Sequence, residues 1–335
     1  MKQIRSTLSL CPKCYKRIPA GIYVDDEQFV IMQKTCSEHG DFETFVERSA
    51  QFYAQCANSG ARTIYGGHFI DVTKRCNLAC KYCYFPVNNK AKDRSMASIL
   101  QEVVVNHGTE RIILTGGEPL LREDITDLIN VVQTVLPVEI VTNGTLLTAE
   151  KIDELAPLLM ESGNVVRINL SLHDEAQGLN RLVLENFRAK GLRLESVLVV
   201  IDSIGQIEDF VAFAYEWKDV IQSTRIKAAT SIWNEQKPNA DIFVSDMLKV
   251  MEKLGAKVTW WRNNKVSFIT TELNGIFHNL VSWYDVGNVD LKDIHCAPTY
   301  TAQTGQVENR VTAMLINEGI QKGWLNGEKV WAQKP

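Results

Sequence analysis

Eight cysteines stand at positions 11, 14, 36, 56, 76, 80, 83 and 296 of a 335-residue sequence, and seven fall in the first quarter. Three lie within eight residues, Cys76-Asn77-Leu78-Ala79-Cys80-Lys81-Tyr82-Cys83, directly after a short apolar run. Soft thiolates at that density suit an iron–sulfur cube. Three protein ligands on four irons leave one iron open, and an open coordination position is where a small molecule binds and reacts. Two other readings share this spacing. A zinc knuckle wants a fourth ligand, and a thioredoxin-like pair, Cys80 with Cys83, has no use for Cys76.

A second constellation precedes it. Cys11-Pro12-Lys13-Cys14 and Cys36-Ser37-Glu38-His39-Gly40 are two ligand pairs of the kind found in zinc ribbons and rubredoxin-like knuckles. A mononuclear tetrahedral site of Cys11, Cys14, Cys36 and His39 is expected. The imidazole leans the metal toward zinc, with iron still open. The alternative leaves His39 on the surface and makes Cys56 the fourth ligand. A zinc deaminase would need H-x-E before P-C-x-x-C, and no such segment precedes Cys11. Cys56 and Cys296 remain unassigned.

Leu114-Thr115-Gly116-Gly117-Glu118-Pro119 adds a third signal. Glycines at the end of a strand let backbone approach a ligand closely, and Glu118 offers a carboxylate to an amine. The plain alternative is an ordinary βα turn.

The elements that would position these residues follow a βα rhythm. Strands are expected over 69–73, 111–115, 138–142, 165–172, 194–201 and 224–230. Helix-period segments fall at 96–106, 123–135, 149–161, 175–190 and 207–221. Thr148 before Ala149-Glu150-Lys151 has the form of a helix N-cap. Alternation over 29–33 and 42–46 gives two short strands in the first 66 residues. Beyond 236 the rhythm weakens to a helix over 244–254, a hairpin of 258–261 and 266–270 around Asn263-Asn264, and a final helix over 310–322. Three regions follow: a knuckle over 1–66, a core over 67–235 and a substrate-capping region over 236–335.

Composition closes off other classes. Hydrophobic residues make up 45% and charged residues 23%, with only 9 prolines, which excludes a disordered chain. A net charge of −4 argues against a mainly electrostatic nucleic-acid binder. No apolar run has the length needed to span a bilayer, and no secretory h-region opens the sequence, so a cytoplasmic location is expected.

Together the three-cysteine loop, with an aromatic Tyr82 before its last Cys, and the Gly116-Gly117-Glu118 turn resemble the radical S-adenosylmethionine (SAM) superfamily. Both motifs stand in that family's order and separation. The resemblance implies an α/β fold, a partial (β/α)6 TIM-like barrel, here with a small N-terminal metal-binding knuckle and an α+β C-terminal extension. It implies a 4Fe–4S cluster on Cys76, Cys80 and Cys83, and SAM bound near Tyr82, Gly116, Gly117, Glu118, Asn143, Ser171 and His173. The activity implied is reductive cleavage of SAM to a 5′-deoxyadenosyl radical that abstracts hydrogen from substrate. Apolar residues at the end of the fifth strand, 199–201, would meet adenine, although ordinary core is the commoner use of such residues. An external electron donor of flavodoxin or ferredoxin type is implied as well. The N-terminal Cys/His pattern resembles the subgroup of tetraether lipid synthase and a pterin-methylating radical SAM enzyme, whose substrates are not proteins.

The C-terminal third is less legible. Cys296 and Tyr300 lie in a polar stretch with Asp290, Asp293, His295 and Glu308, and are candidate hydrogen donors to a product radical. Trp233, Trp260 and Trp261 offer stacking surfaces, although tryptophan more often packs in a core. A small-molecule substrate derived from a nucleoside, sugar, pterin or lipid is the first expectation. A peptide- or protein-modifying maturase is the second, and a zinc-binding interaction module without catalysis the third.

Overall fold

The chain begins with four antiparallel strands, β1 (Lys2–Leu10), β2 (Arg17–Val24), β3 (Val30–Cys36) and β4 (Gly40–Glu47), hydrogen-bonded in that order. This is a computed structural model that describes residues 1–14, 16–58, 67–80, 83, 85, 87–160, 166–172, 177–229, 242–261, 268–281, 298–300 and 307–309. The sequence pattern reveals only β3 and β4. In β2 the signal is masked by Pro19, which pairs with Leu8 of β1 at a level where β3 has not yet joined the sheet. A residue without an N–H is tolerated there because that side of the strand carries no ladder. The β3–β4 turn closes through Gly40 at φ 76°, a left-handed conformation suited to glycine.

A helix, α1 (Ala50–Asn58), follows, and sequence periodicity does not announce it. Ser49 caps it, its hydroxyl accepting from Phe52 N at 3.2 Å. Phe52 and Cys56 turn into the main core, whereas Ala50 and Tyr53 pack on Ile22, Val30 and Met32 of the four-stranded sheet. The helix is thus the wedge between the two units.

The core alternates strictly. It runs β5 (Gly67–Thr73), α2 (Met96–Val105), β6 (Arg111–Gly116), a 3-10 turn (Pro119–Leu121), α3 (Ile125–Val132) and β7 (Val138–Thr142). It continues with α4 (Ala149–Met160), β8 (Val166–Ser171), α5 (Gln177–Ala189), β9 (Ser196–Ile201), α6 (Gln206–Glu216) and β10 (Ser223–Ala228). The strands β5 to β10 pair in sequential order and parallel. Crossovers of one hand, all stepping the same way, leave every helix on one face of the sheet. That order is consistent with the expected partial barrel. Thr148 caps α4 as expected, its hydroxyl accepting from Lys151 N at 3.2 Å.

Side chains divide by face with period two. Ile70, Leu114, Ile140, Ile168, Val197 and Ile226 join the helices in one apolar cluster. The opposite face is polar, and a ladder crosses four of its strands. Arg111 pairs with Glu139 at 3.0 Å, Asn169 Nδ2 donates to Glu139 at 3.0 Å, and Ser196 Oγ donates to Asn169 Oδ1 at 2.8 Å. The ladder satisfies the Glu139 carboxylate and the Asn169 amide, while Arg111 Nε is left buried without a hydrogen-bond partner.

Beyond β10 come α7 (Val244–Lys253), β11 (Lys257–Trp261), β12 (Phe268–Leu273) and β13 (Ile276–Val281). β13 was not evident in the sequence. It pairs parallel to β10, and β12 and β11 add antiparallel, so the expected hairpin extends the core sheet to nine strands. β14 (Pro298–Tyr300) and β15 (Val307–Asn309) form a separate antiparallel pair. The turn at Asn263-Asn264, Trp233 and the helix expected over 310–322 lie outside the described residues. No helix among the described residues is long and apolar enough to cross a membrane.

The four-stranded unit docks on α7. Glu47, 1% exposed at the end of β4, accepts from Ser245 Oγ in the first turn of α7 and from Arg48 N at 2.6 Å. Beside it Arg48 Nε donates to Asp246 at 3.3 Å, and its guanidinium lies 5.3 Å from the Phe243 ring centroid. Burial pushes the Glu47 carboxyl up to about 7, against the opposing pull of its hydrogen bonds.

Candidate active site and metal centre

β5 delivers the chain into the three-cysteine loop, and that loop is fastened from several sides. Arg75 grips Asp93 through Nε and Nη2 at 3.1 and 2.6 Å, and Nη2 also donates to Leu121 O at 3.1 Å. Thr73 Oγ1 donates to the same carboxylate. The Arg75 guanidinium holds the Asp93 carboxyl below the usual carboxylate range. Cys76 N donates to Asn89 Oδ1 at 2.9 Å and Asn88 N to Lys74 O at 2.8 Å, so the returning end of the loop pins its outgoing end.

The glycine turn after β6 meets this loop backbone to backbone. Gly117 N donates to Thr73 O at 2.9 Å, and Glu118 N to Arg75 O at 2.8 Å. A Cβ on Gly116 would stand 2.2 Å from Thr73 O, and one on Gly117 would stand 2.0 Å from Arg75 O. Gly116 also takes a φ of 137°. Both positions therefore demand glycine for the contact between the two motifs.

Glu118 is held inside the fold by its own hydrogen bonds. Its carboxylate is fully buried and accepts from Leu120 N at 3.0 Å, Thr142 Oγ1 at 2.8 Å and Asn143 N at 2.8 Å. Burial raises its pKa against those three bonds. The side chain turns into the fold because its own 3-10 turn and the end of β7 supply donors. It fastens the end of β6 to the end of β7.

Asn143 also faces inward. Its Oδ1 accepts from Thr145 N at 2.9 Å and Thr145 Oγ1 at 2.7 Å. Its Nδ2 points to Asn77 Oδ1 at 3.0 Å and Cys76 Sγ at 3.9 Å. Asn77 Nδ2 donates to Thr145 Oγ1 at 2.7 Å. Ser171 closes β8 in register with Leu198, on the same side of the sheet as Asn169. Cys76, Cys80, Cys83, Gly116, Gly117, Glu118, Asn143 and Ser171 thus gather at the C-terminal ends of β5 to β8. A parallel sheet places its chemistry at that end. Tyr82, His173 and Cys296 lie outside the described residues, and Tyr300 is described only as a backbone member of β14. Asp93, Asn89, Asn77 and Thr145 carried no signal in the sequence, since only their convergence on the loop distinguishes them.

The ribbon site has a different geometry. Cys11 Sγ and Cys36 Sγ lie 3.6 and 3.5 Å from His39 Nδ1, and Cys14 Sγ lies 3.8 Å from Cys36 Sγ. A tetrahedron with metal–sulfur bonds of about 2.3 Å and metal–nitrogen bonds of about 2.0 Å has edges of roughly 3.8 and 3.5 Å. The four residues therefore fit one zinc-sized ion. All four ligand atoms lie within 4.8 Å of one another, and no other such group occurs among the described residues. Without metal, backbone N–H groups of Glu38 and His39 help draw the Cys36 thiol down to about 6, whereas burial sends Cys14 up to about 12. Cys56 sits apart in α1, its thiol raised to about 12 by burial and by Glu47.

Comparison with known proteins gives these parts their class. Residues 70–207 match the Radical SAM superfamily, a class that implies a 4Fe–4S cluster and SAM. Residues 3–48 match the HMPTM N-terminal zinc ribbon domain. Over 305 residues the chain is 27% identical to 7,8-dihydro-6-hydroxymethylpterin dimethyltransferase of Methanocaldococcus jannaschii, covering 74% of this chain and 58% of that protein. It is 29% identical over 194 residues to GTP 3′,8-cyclase of Listeria welshimeri, covering 50% of this chain and 56% of that one. The chain thus spans somewhat over half the length of these relatives. Among solved structures, Streptococcus suis SuiB bound to precursor peptide SuiA aligns at 14% identity and a TM-score of 0.44, over 74% of this chain and 69% of that one.

Proposed function

We propose that the chain holds a 4Fe–4S cluster on Cys76, Cys80 and Cys83, binds SAM beside it, and takes a hydrogen atom from a small-molecule substrate of pterin type. When bound, cluster and SAM together supply the reductive cleavage of SAM and the hydrogen abstraction that follows. The observation that carries this reading is the pair of backbone bonds from Gly117 and Glu118 to Thr73 and Arg75. They lock the thiol-bearing loop to the glycine turn as one body. The backbone of Gly116 and Gly117, with Ser171, is placed to orient SAM, and Glu118 keeps the turn in shape. The pterin class is favoured by the ribbon match at 3–48 and by the name of the pterin relative, which aligns with 74% of this chain. The ribbon tetrad holds zinc, and an external one-electron donor of flavodoxin or ferredoxin type completes the system.

Anaerobic reconstitution with iron and sulfide tests this. Wild type with dithionite and SAM should be brown and release 5′-deoxyadenosine, and Cys80→Ala should lose both colour and product. Product-free wild type with unchanged iron in Cys80→Ala would sink the proposal. Turnover of a peptide with no response to reduced pterins would overturn the choice of substrate.

A further inference from the structure

We infer that Asn143 tunes the reduction potential of the cluster by donating an amide hydrogen to the sulfur of Cys76. This rests on the reading of Cys76 as a cluster ligand. The orientation of the amide is fixed. Thr145 N can only donate, so the atom facing it at 2.9 Å must be Oδ1, which puts the nitrogen on the other side. One Nδ2 hydrogen is taken by Asn77 Oδ1 at 3.0 Å, and the nitrogen lies 3.9 Å from Cys76 Sγ. Asn143 is 6% exposed, and its own N–H is held by Glu118 at 2.8 Å. The donor is therefore anchored at backbone, carbonyl and amide, with little water to replace it. A sulfur is a diffuse acceptor, and a hydrogen bond to a ligand sulfur gains strength as the cluster takes up an electron. The donor favours the reduced form, which is the form that must deliver an electron to SAM.

A merely structural Asn143 would fasten the cysteine loop without moving the potential. The test is an anaerobic redox titration of the reconstituted full chain, followed by optical absorbance and by EPR of the reduced cluster. Asn143→Leu keeps the volume and removes the donor. At a fixed solution potential its reduced-to-oxidised ratio should fall by about tenfold, or about 59 mV for a one-electron couple. Asn77→Ala removes one anchor but keeps the donor, so it should shift the ratio clearly less. Equal potentials in wild type and Asn143→Leu would overturn the inference, as would equal shifts in the two variants. Should Asn143→Leu fail to hold a cluster, pulsed EPR of wild type grown with side-chain-amide 15N asparagine decides. A 15N coupling to the reduced cluster supports the donor, and its absence rejects it. A wild type that takes up no cluster would instead remove the underlying function.

Discussion

The ribbon and the core each gather three cysteines, and they do so in opposite ways. In the ribbon two turns of one antiparallel sheet bring Cys11, Cys14, Cys36 and His39 to tetrahedral spacing, with Cys11 and Cys36 buried. Four protein ligands would close the coordination sphere of an ion held there, the mark of a structural site. In the core the thiols ride on one loop and stay partly exposed. Their scaffold is external: Asp93, Asn89 and the Gly117 turn hold the loop from outside. A site meant to stay shut is braced by its own ligands. A site meant to react needs its bracing elsewhere, so that an open position remains.

Metal removal should separate the two most sharply. Cys36→Ser breaks a tetrad in a sheet whose apolar clusters are small among the described residues: Ala20, Ile22, Val30 and Met32 in one, and Cys11, Ile18 and Cys36 in another. Structural zinc contributes about 10–16 kcal/mol of apparent folding free energy in small zinc modules. Zinc content should fall from one per chain to near zero, and proteolysis should then cut within β1 to β4. The core, with its independent apolar cluster, should still take up iron. Loss of iron binding together with zinc would show that the two centres form one folding unit.

Gly117→Ala attacks the other side of the comparison. Its Cβ would lie 2.0 Å from Arg75 O and 3.1 Å from Cys76 Cβ, so the cysteine loop must move. Displacing backbone in a tight packing costs about 3 kcal/mol or more. Cluster iron should drop severalfold while zinc stays at one per chain. An Ala variant that loads iron normally would mean that the loop is not locked to the glycine turn.

Legibility follows the same division. Residue types that cluster in sequence, such as Cys76, Cys80 and Cys83 or the paired ligands of the ribbon, announce their chemistry because one short turn delivers them. The six parallel strands were readable because an apolar helix-facing side repeats every second residue. β2 was hidden by Pro19, and β13 by its short, mixed pattern, which makes sense only beside β10. Glu118 was legible as a member of its motif, but its hydrogen-bond partners were not. Its burial depends on donors from Leu120, Thr142 and Asn143, and the last two belong to another strand end. Asp93, Asn77 and Thr145 were invisible for the same reason: their partners are distant along the chain and near only in space.

The joint between the units gives the smallest effect and the finest test of their independence. Glu47 is buried between β4 and α7, with its carboxyl raised to about 7, and Arg48 beside it is paired with Asp246. Cys56 is the other titratable group tied to it, and that thiol, raised to about 12, stays neutral. A carboxyl near 4.5 in the unfolded chain and near 7 in the folded one takes up a proton on folding between those values. Stability then falls as pH rises through that window, because the unfolded state ionises first. The contribution is greatest below the unfolded value and is gone above pH 7, with a total on the order of 3 kcal/mol. Chemical denaturation of the zinc-loaded chain at several pH values should show this slope, and Glu47→Gln should flatten it. If the slope appears in the unfolding of the ribbon and of the core together, the joint couples them. A slope confined to the ribbon would make α7 a platform on which the zinc unit rests, with the reactive loop left untouched by the proton.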